Sequence, residues 1–297
     1  MGWGVEIEAG RVRVCQAALR GGQLRLGRRA EALLPPETVQ PGLKEPNLKG
    51  PAALRSALQE CCAKTGCRGW VGLALPDAVF SLRTVTSETL PPDRAEARRF
   101  LAWQAKELLP FPAEEARLDF LSPEPAPEGR LRVTCLVARE RVVREYEELV
   151  EQAGLRVALL DSASLSLTAA APLPAAPIGL LNLREERSTF LLLEGARPRF
   201  WRILPYGRAD WTGADRTRAL RDLADSIAYC EQAGPAGALS RLDVHGAGEP
   251  WQELASVLEG WLRLAVAPLR LGADAAGTAP DGLAPWAAVA GTGARPW

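Results

Sequence analysis

Lysine is nearly missing from this 297-residue chain, which carries only Lys44, Lys49, Lys64 and Lys106, so almost all of its positive charge is arginine. Arginine favours bidentate pairing with carboxylates. Neither charge is in excess: 36 Lys and Arg balance 36 Asp and Glu, and the pI is about 6.7. That removes the electrostatic case for nucleic-acid binding, which needs a concentrated basic face. Histidine occurs once, and the six cysteines (Cys15, Cys61, Cys62, Cys67, Cys135 and Cys230) contain no CxxC pair. No zinc site is therefore expected, even where Cys61, Cys62 and Cys67 cluster at a helix end. Reduced, partly buried thiols in a cytosolic protein are the expected state. The longest apolar region, 165–181, is broken by Pro172, Pro174 and Pro177, and it cannot supply the ~20 helical residues that span a bilayer. Met1 to Glu6 has neither a basic region nor an apolar stretch of signal length. These absences predict a soluble, cytoplasmic protein with no direct membrane insertion.

What is present is enough apolar residue, 47%, for more than one core, and a chain of this length favours two lobes. Trp3 to Val14 alternates with period two around Gly10, with Val5 and Ile7 on one face and Val12 and Val14 likewise, which predicts a hairpin. Leu24 and Leu26 add a third strand after Gly21-Gly22, and 33–50 is rich in turn formers. Helix is predicted over 51–65, then strand over 70–75 and 79–86. A helix with Asp93 as its cap follows over 92–109. Next come a proline-rich loop over 122–129, a strand over 131–138, a charged amphipathic helix over 139–154, a strand over 155–160 and a helix over 162–171. Pro172 to Pro177 is a linker. Beyond it the opening pattern recurs. Strands are predicted over 178–183, 188–193 and 199–204, a helix over 216–233, a strand over 242–245 and a helix over 251–261. A strand over 265–269, a loop over 272–285 and a short last helix over 285–290 complete the chain. Each half runs three strands, helix, strand, helix, which by periodicity alone means two α/β lobes.

The stretch Phe100 to Phe120, FLAWQAKELLPFPAEEARLDF, is the most distinctive. Pro110 and Pro112 each lack a backbone donor and fix φ, so the preceding helix must stop and leave Leu108, Leu109 and Phe111 as an apolar knuckle. Leu109-Pro110-Phe111-Pro112 followed by Leu118-Asp119-Phe120 resembles the PilM proteins of type IV pilus assembly, which carry "IPFP" and then an "LDY"-type strand. Gly4-Val5-Glu6-Ile7 resembles their "GIDIG". Leu34-Pro35-Pro36-Glu37 and Leu43-Lys44-Glu45-Pro46 resemble "LPPGAI" and "IKDP", and Leu73-Ala74-Leu75-Pro76 before Val79-Phe80 resembles "ALPGSAVF". Gly154-Leu155 with Leu160-Asp161, and the stretch Gly195 to Gly207, fit later family patterns. The resemblance covers almost the whole chain.

It implies a duplicated actin-like, ribonuclease-H-like α/β fold with a small inserted subdomain on the first lobe. Residues 1–79 and 154–171 would form the first lobe, 80–153 the insertion, 172–177 the linker and 178–297 the second lobe. It also implies relatives in the cytoplasmic domain of the type II secretion protein GspL and in FtsA. The function implied is a cytoplasmic scaffold, held at the inner membrane through partners, that docks the N-terminal cytoplasmic peptide of a PilN-like single-pass membrane protein. A pilus motor ATPase and a homo-oligomer or ring are further partners that the resemblance suggests. The expected peptide groove involves Leu75, Phe80, Leu82, Trp103, Leu108, Leu109 and Phe111, with Trp103 readable either as groove or as core.

Actin-like proteins hold ATP between the lobes on two hairpin turns of the Asp-x-Gly-Ser/Thr type and a third glycine-rich turn. Glycine there lets backbone amides approach phosphate closely. Here the first hairpin reads Glu6-Ile7-Glu8-Ala9-Gly10-Arg11 and the second Asn182-Leu183-Arg184-Glu185-Glu186-Arg187. Glutamate replaces the first aspartate and asparagine the second, while Glu8 and Arg184 replace the glycines. Gly246 and Gly248 keep some adenosine-loop character. Glu6, Gly10, Arg11, Asn182, Arg184, Gly246 and Gly248 thus outline a degenerate nucleotide cleft. Like-charge contacts in a dry cleft cost a few kcal/mol each, so no cofactor is expected, and the cleft is expected to be closed by Arg–Glu pairs. The alternative is an ATP-binding enzyme of the actin and sugar-kinase superfamily, with Arg11, Arg184 and Arg187 gripping the phosphates of ATP–Mg²⁺. Enzymatic chemistry has little else to stand on. His245 ends a strand without a partnering Ser or Cys motif. Ser162, Ser164 and Ser166 lack a GxSxG elbow. Asp119, Asp161, Asp222 and Asp225 show no acid/base pairing.

Overall fold

A computed structural model describes residues 1–20, 23–213, 216–233, 238–248, 251–272 and 286–294. Period-two alternation gives the first hairpin: β1 (Gly2–Ile7) and β2 (Arg11–Arg20) pair antiparallel, with Ile7 opposite Val12 and Glu6 opposite Arg13. β3 (Gln23–Leu33) extends the meander along β2, and the Gly21-Gly22 turn lies outside the described residues. On its other side β1 takes β4 (Gly69–Leu75) in parallel, and β4 takes β9 (Leu155–Ser162), so the sheet order is β3-β2-β1-β4-β9. α1 (Pro51–Thr65) and α3 (Glu140–Gln152) cover one face, where Leu54, Leu58, Val143, Tyr146 and Val150 close on Val5, Ile7 and Leu73.

The second lobe repeats this plan. β10 (Pro177–Leu183), β11 (Ser188–Glu194) and β12 (Arg197–Leu204) form the meander. β13 (Leu242–His245) and β14 (Val266–Pro268) add in parallel, giving the order β12-β11-β10-β13-β14. α5 (Arg216–Ala233) and α6 (Trp251–Leu262) bury Leu220, Leu223, Leu254 and Leu258 against Leu181, Phe190 and Trp211.

Interrupting the first lobe, between β4 and α3, is a small antiparallel sheet, β5 (Phe80–Ser87), β8 (Leu131–Arg139) and β6 (Ala116–Phe120), with β7 (Glu124–Pro125) also on β8. α2 (Arg94–Gln104) backs it, capped by Asp93, whose Oδ1 accepts from the Glu96 amide at 2.8 Å. The α-helix ends at Gln104 and a 3-10 turn over Lys106–Leu108 follows. This is earlier than the Leu109 expected from periodicity, because the residue before a proline is barred from helical φ/ψ and the last turn tightens to reach it. Leu101, Ala105, Phe111, Leu118 and Val133 form a core of the insertion's own.

Two elements sit elsewhere than the expected boundaries put them. α3, counted with the insertion over 80–153, belongs to the first-lobe core, because the buried stripe of Val142, Val143, Tyr146, Leu149 and Val150 joins that core, with α3 packed on β9 and α1 and touching β8 at its edge. The last helix, α7 (Ala287–Ala294), was counted with the second lobe, but it packs on β1, β2 and β4 of the first. It is paired there with α4 (Ala163–Ala170), which inserts Ala163 and Leu167 against Ile178, Leu180 and Leu191 of the second sheet. α4 and α7 are therefore a shared layer between the sheets. Glycine makes that layer thin: a Cβ on Gly4 would lie 1.9 Å from the Val289 carbonyl oxygen, and one on Gly72 2.7 Å from that of Thr292. Among the described residues, no helix is long and apolar enough to cross a membrane.

Gly4→Val should lower stability by about 1–3 kcal/mol or more through overpacking against α7, whereas Gly10→Ala, with no atom within 4 Å of the new Cβ, should stay within about 0.5 kcal/mol. Urea titration of both variants checks this, and a Gly4→Val protein as stable as the parent would mean that α7 does not rest on β1.

Candidate functional site

The two meanders present equivalent turns to each other. The Glu8 amide donates to the Arg11 carbonyl at 2.9 Å, and the Arg184 amide to that of Arg187 at 3.1 Å. Glu8 and Arg184, 176 residues apart, thus occupy matching places at the two tips, and Arg184 Nη1 donates to Glu8 Oε1. Arg184 Nη2 lies 2.8 Å from Glu6 Oε1. Arg13, opposite Glu6 in the hairpin register, places Nη1 3.2 Å from both Glu6 Oε2 and Glu8 Oε1 and donates from Nε to Glu31 at 2.7 Å. At the rim Arg11 reaches Glu8 at 3.6 Å, and across to Glu185 of the other lobe at 3.8 Å.

Burial decides the electrostatics. Glu6 is wholly buried, and desolvation raises its carboxyl above the usual value although Arg184 and Arg13 pull the other way. For Glu8, burial also pushes up, but the guanidiniums of Arg184, Arg13 and Arg11 together outweigh it and hold the carboxyl low. Arg184, only 19% exposed at its side chain, is pushed down by burial, yet Glu6 and Glu8 more than restore it. It stays a cation locked between two carboxylates.

A second, hydrogen-bonded link lies behind this one. Asp77 accepts from the Ser164 amide at 2.9 Å and from its hydroxyl, Asn182 Nδ2 donates to Ser164 Oγ at 2.8 Å, and Asn182 Oδ1 sits 2.9 Å from His245 Nδ1. The chain runs from the first lobe through α4 into β10 and β13. Asn182, expected to face a nucleotide, is thus consumed in the interlobe network. Gly246 holds φ +79° where a Cβ would lie 2.3 Å from the Leu183 carbonyl oxygen, so it serves strand packing.

What remains between the turns is a cavity of about 80 Å³ lined by Glu8, Gly10, Arg11, Asp77, Arg184 and Arg187 among others. Ligand pockets run to ~300–1,000 Å³. Of the expected cleft residues, Gly10, Arg11 and Arg184 line it, Glu6 lies beneath, and Asn182, Gly246 and Gly248 do not reach it. Arg13, Asp77 and Ser164 complete the arrangement and were not anticipated. Of these, only Arg13 had a sequence signal, being cross-strand from Glu6 in a two-residue-turn hairpin. As arranged, the residues do not fit a nucleoside triphosphate: the cavity is too small and carboxylates stand in it. Among the described residues, no group of His, Cys, Asp or Glu side chains could hold a metal ion.

A larger groove, about 860 Å³, separates the insertion from the first lobe. α2 and β6 form one wall and β9 and α3 the other, with Trp103, Leu118, Val143, Val157 and Leu159 in the lining. β6 and β9 are each the last strand of their sheet, so two strand edges border it. Of the expected groove residues, Phe80 and Trp103 line it. Trp103 is 58% exposed, so it is surface rather than core. Leu75 is wholly buried in the first-lobe core and Phe111 is buried in the insertion's own. Their apolar side chains are used for folding and are not available in the groove. Leu109 packs against the same insertion core, Leu108 is exposed outside the groove lining, and Leu82 lines a different groove.

The family model of the type IV pilus assembly protein PilM matches residues 4–179. The chain belongs to the PilM family. Its fold is actin-like: the structure is similar to that of a PilM–PilN type IV pilus biogenesis complex, with a TM-score of 0.80 at 21% identity and 99% of each chain covered. It is also similar to the cytoplasmic domain of EpsL, an inner membrane component of the type II secretion system of Vibrio cholerae, with a TM-score of 0.52 at 14% identity, 90% of this chain and 89% of that one. The ethanolamine utilization protein EutJ from Carboxydothermus hydrogenoformans gives a TM-score of 0.53 at 9% identity, over 98% and 89% of the two chains. No curated protein matches the chain.

Arg184→Leu should cost about 3–5 kcal/mol by leaving Glu6 and Glu8 under-compensated, and adding Glu8→Gln should recover part of that, a coupling read from a double-mutant cycle. In the folded protein Glu8 titrates below the usual 4.5, so its contribution is whole above that pH and fades as pH falls through the folded value. Glu6, raised above 4.5, acts in the opposite sense, subtracting stability as pH climbs past it. Glu8→Gln should therefore lower the melting temperature at neutral pH and converge on the parent as pH falls through the folded value. A deficit that persists in acid would mean that Glu8 acts through packing instead.

Proposed function

We propose that this PilM-family protein is a non-catalytic scaffold of a type IV pilus assembly platform. It captures the N-terminal cytoplasmic peptide of a PilN-like membrane protein in the groove between the insertion and the first lobe. The observation that carries this reading is the groove itself: two unpaired strand edges, β6 and β9, border one trough whose lining mixes apolar side chains such as Leu118, Val157 and Leu159 with charged ones such as Arg98 and Glu147. An extended peptide hydrogen-bonds to such an edge and sets alternate side chains into pockets. Trp103, exposed and stacked under the Lys106 ammonium at 4.9 Å, offers the aromatic anchor on which binding energy concentrates. The PilM–PilN complex among the similar structures supports the choice of partner. The interlobe cleft has no part in turnover in this reading. Arg184 and its carboxylates stand where an actin-like ATPase holds phosphate, which makes the protein a pseudo-ATPase.

Trp103→Asp should abolish calorimetric binding of the N-terminal peptide of the PilN-like protein from the same genome while shifting stability by no more than about 0.5 kcal/mol, as for a surface site. Full binding by that variant would remove the groove from the account. ATP–Mg²⁺ titrated into the parent protein should give no micromolar affinity, and finding one would overturn the pseudo-ATPase part alone.

A further inference from the structure

A different groove, of about 610 Å³, opens where β5 of the insertion meets β12 of the second lobe. Arg83, Arg187, Trp201 and Arg202 line it, and no carboxylate does. That composition is unlike the rest of the same interface. A few residues away on β12, Arg199 is held by Glu124 and Glu194, and Arg197 lies 3.6 Å from Glu124. Arg202 finds only the Ser226 hydroxyl at 2.9 Å, and among the described residues Arg83 and Arg187 have no ion-pair partner. Like charges lining one groove repel, and a bound oxyanion relieves that repulsion.

We propose that this groove binds a small molecule carrying two or more phosphate groups. Guanidinium forks match phosphate oxygens bidentately, the charge of the groove calls for a multiply charged anion, and its volume lies in the range of small-ligand pockets. Arg83 comes from the insertion, while Arg187 and Arg202 come from the second lobe, so a polyphosphate seated there ties the two together. The site shares only Phe80 with the lining of the peptide groove and does not depend on that reading.

The test is calorimetry of the full chain with sodium tripolyphosphate in magnesium-free buffer, since magnesium masks phosphate oxygens. One site with a Kd on the order of 0.1 mM is expected. Arg83→Gln and Arg202→Gln should each weaken it about tenfold, Arg83→Lys by less, and Arg11→Gln at the cleft rim not at all. Unchanged melting temperatures show that the variants fold. The proposal is overturned if the parent protein does not bind, or if Arg11→Gln weakens binding as much as Arg83→Gln, which puts the anion in the cleft. It is equally overturned if hexaglutamate binds through these arginines in preference to tripolyphosphate.

Discussion

One buried guanidinium fixes how the two lobes meet. Arg184 rises from the second hairpin into the space between Glu6 and Glu8 of the first, and in that poorly solvated place an unpaired carboxylate would be far more costly than at the surface. The lobes cannot part without exposing this cation to water and leaving Glu6 with Arg13 alone. The hydrogen-bonded chain from Asp77 through Ser164 and Asn182 to His245 spans the same boundary, and both ends of it are buried. Tips that in an actin-like ATPase are spaced to admit a phosphate chain are here in direct contact.

A closed interlobe boundary has a consequence for the groove some distance away. Its two walls belong to different bodies, β9 and α3 to the first-lobe core and α2 and β6 to the insertion. The insertion is held from behind by the second lobe, where Arg199 donates to Glu124 at 2.9 Å and Arg197 to the Ser122 carbonyl at 3.1 Å. With the second lobe clamped to the first and the insertion clamped to the second, the trough has fixed walls. For the peptide capture proposed above, a preformed surface of this kind leaves the cost of ordering mainly to the peptide. Rigidity of this kind suits a scaffold, whereas an enzyme of this fold needs the lobes to open and close.

How much of this was legible in the sequence follows the range of each interaction. Hairpins, the helices over 51–65 and 216–233 and the Asp93 cap depend on periodicity and local hydrogen bonding, so they could be read directly. The crossing of Arg and Glu between the tips was legible because duplication aligns Glu8 with Arg184. Asp77 and Ser164 were not, since their partnership depends on how α4 lies between the sheets. α7 was half-read: Gly291, Gly293, Val289 and Thr292 lower its helix propensity against its alanines, and its seat on the first lobe is set by the bare backbone of Gly4 and Gly72, which no pattern of apolar residues announces. Leu75 and Phe111 show the converse error, because an apolar side chain near a groove is more often used by the core beneath it.

The scarcity of lysine acquires a structural reason from these contacts. Arg13 serves Glu6, Glu8 and Glu31 at once, Arg184 serves Glu6 and Glu8, Arg199 serves Glu124 and Glu194, and Arg117 serves Glu140 and Glu147. A planar fork with five donors can hold two carboxylates in fixed directions, which a single ammonium cannot do at the same cost in side-chain entropy. The arginines between β5 and β12 differ from these in having no carboxylate beside them in their groove, so their charge there is met by solvent or by a ligand and not by the fold.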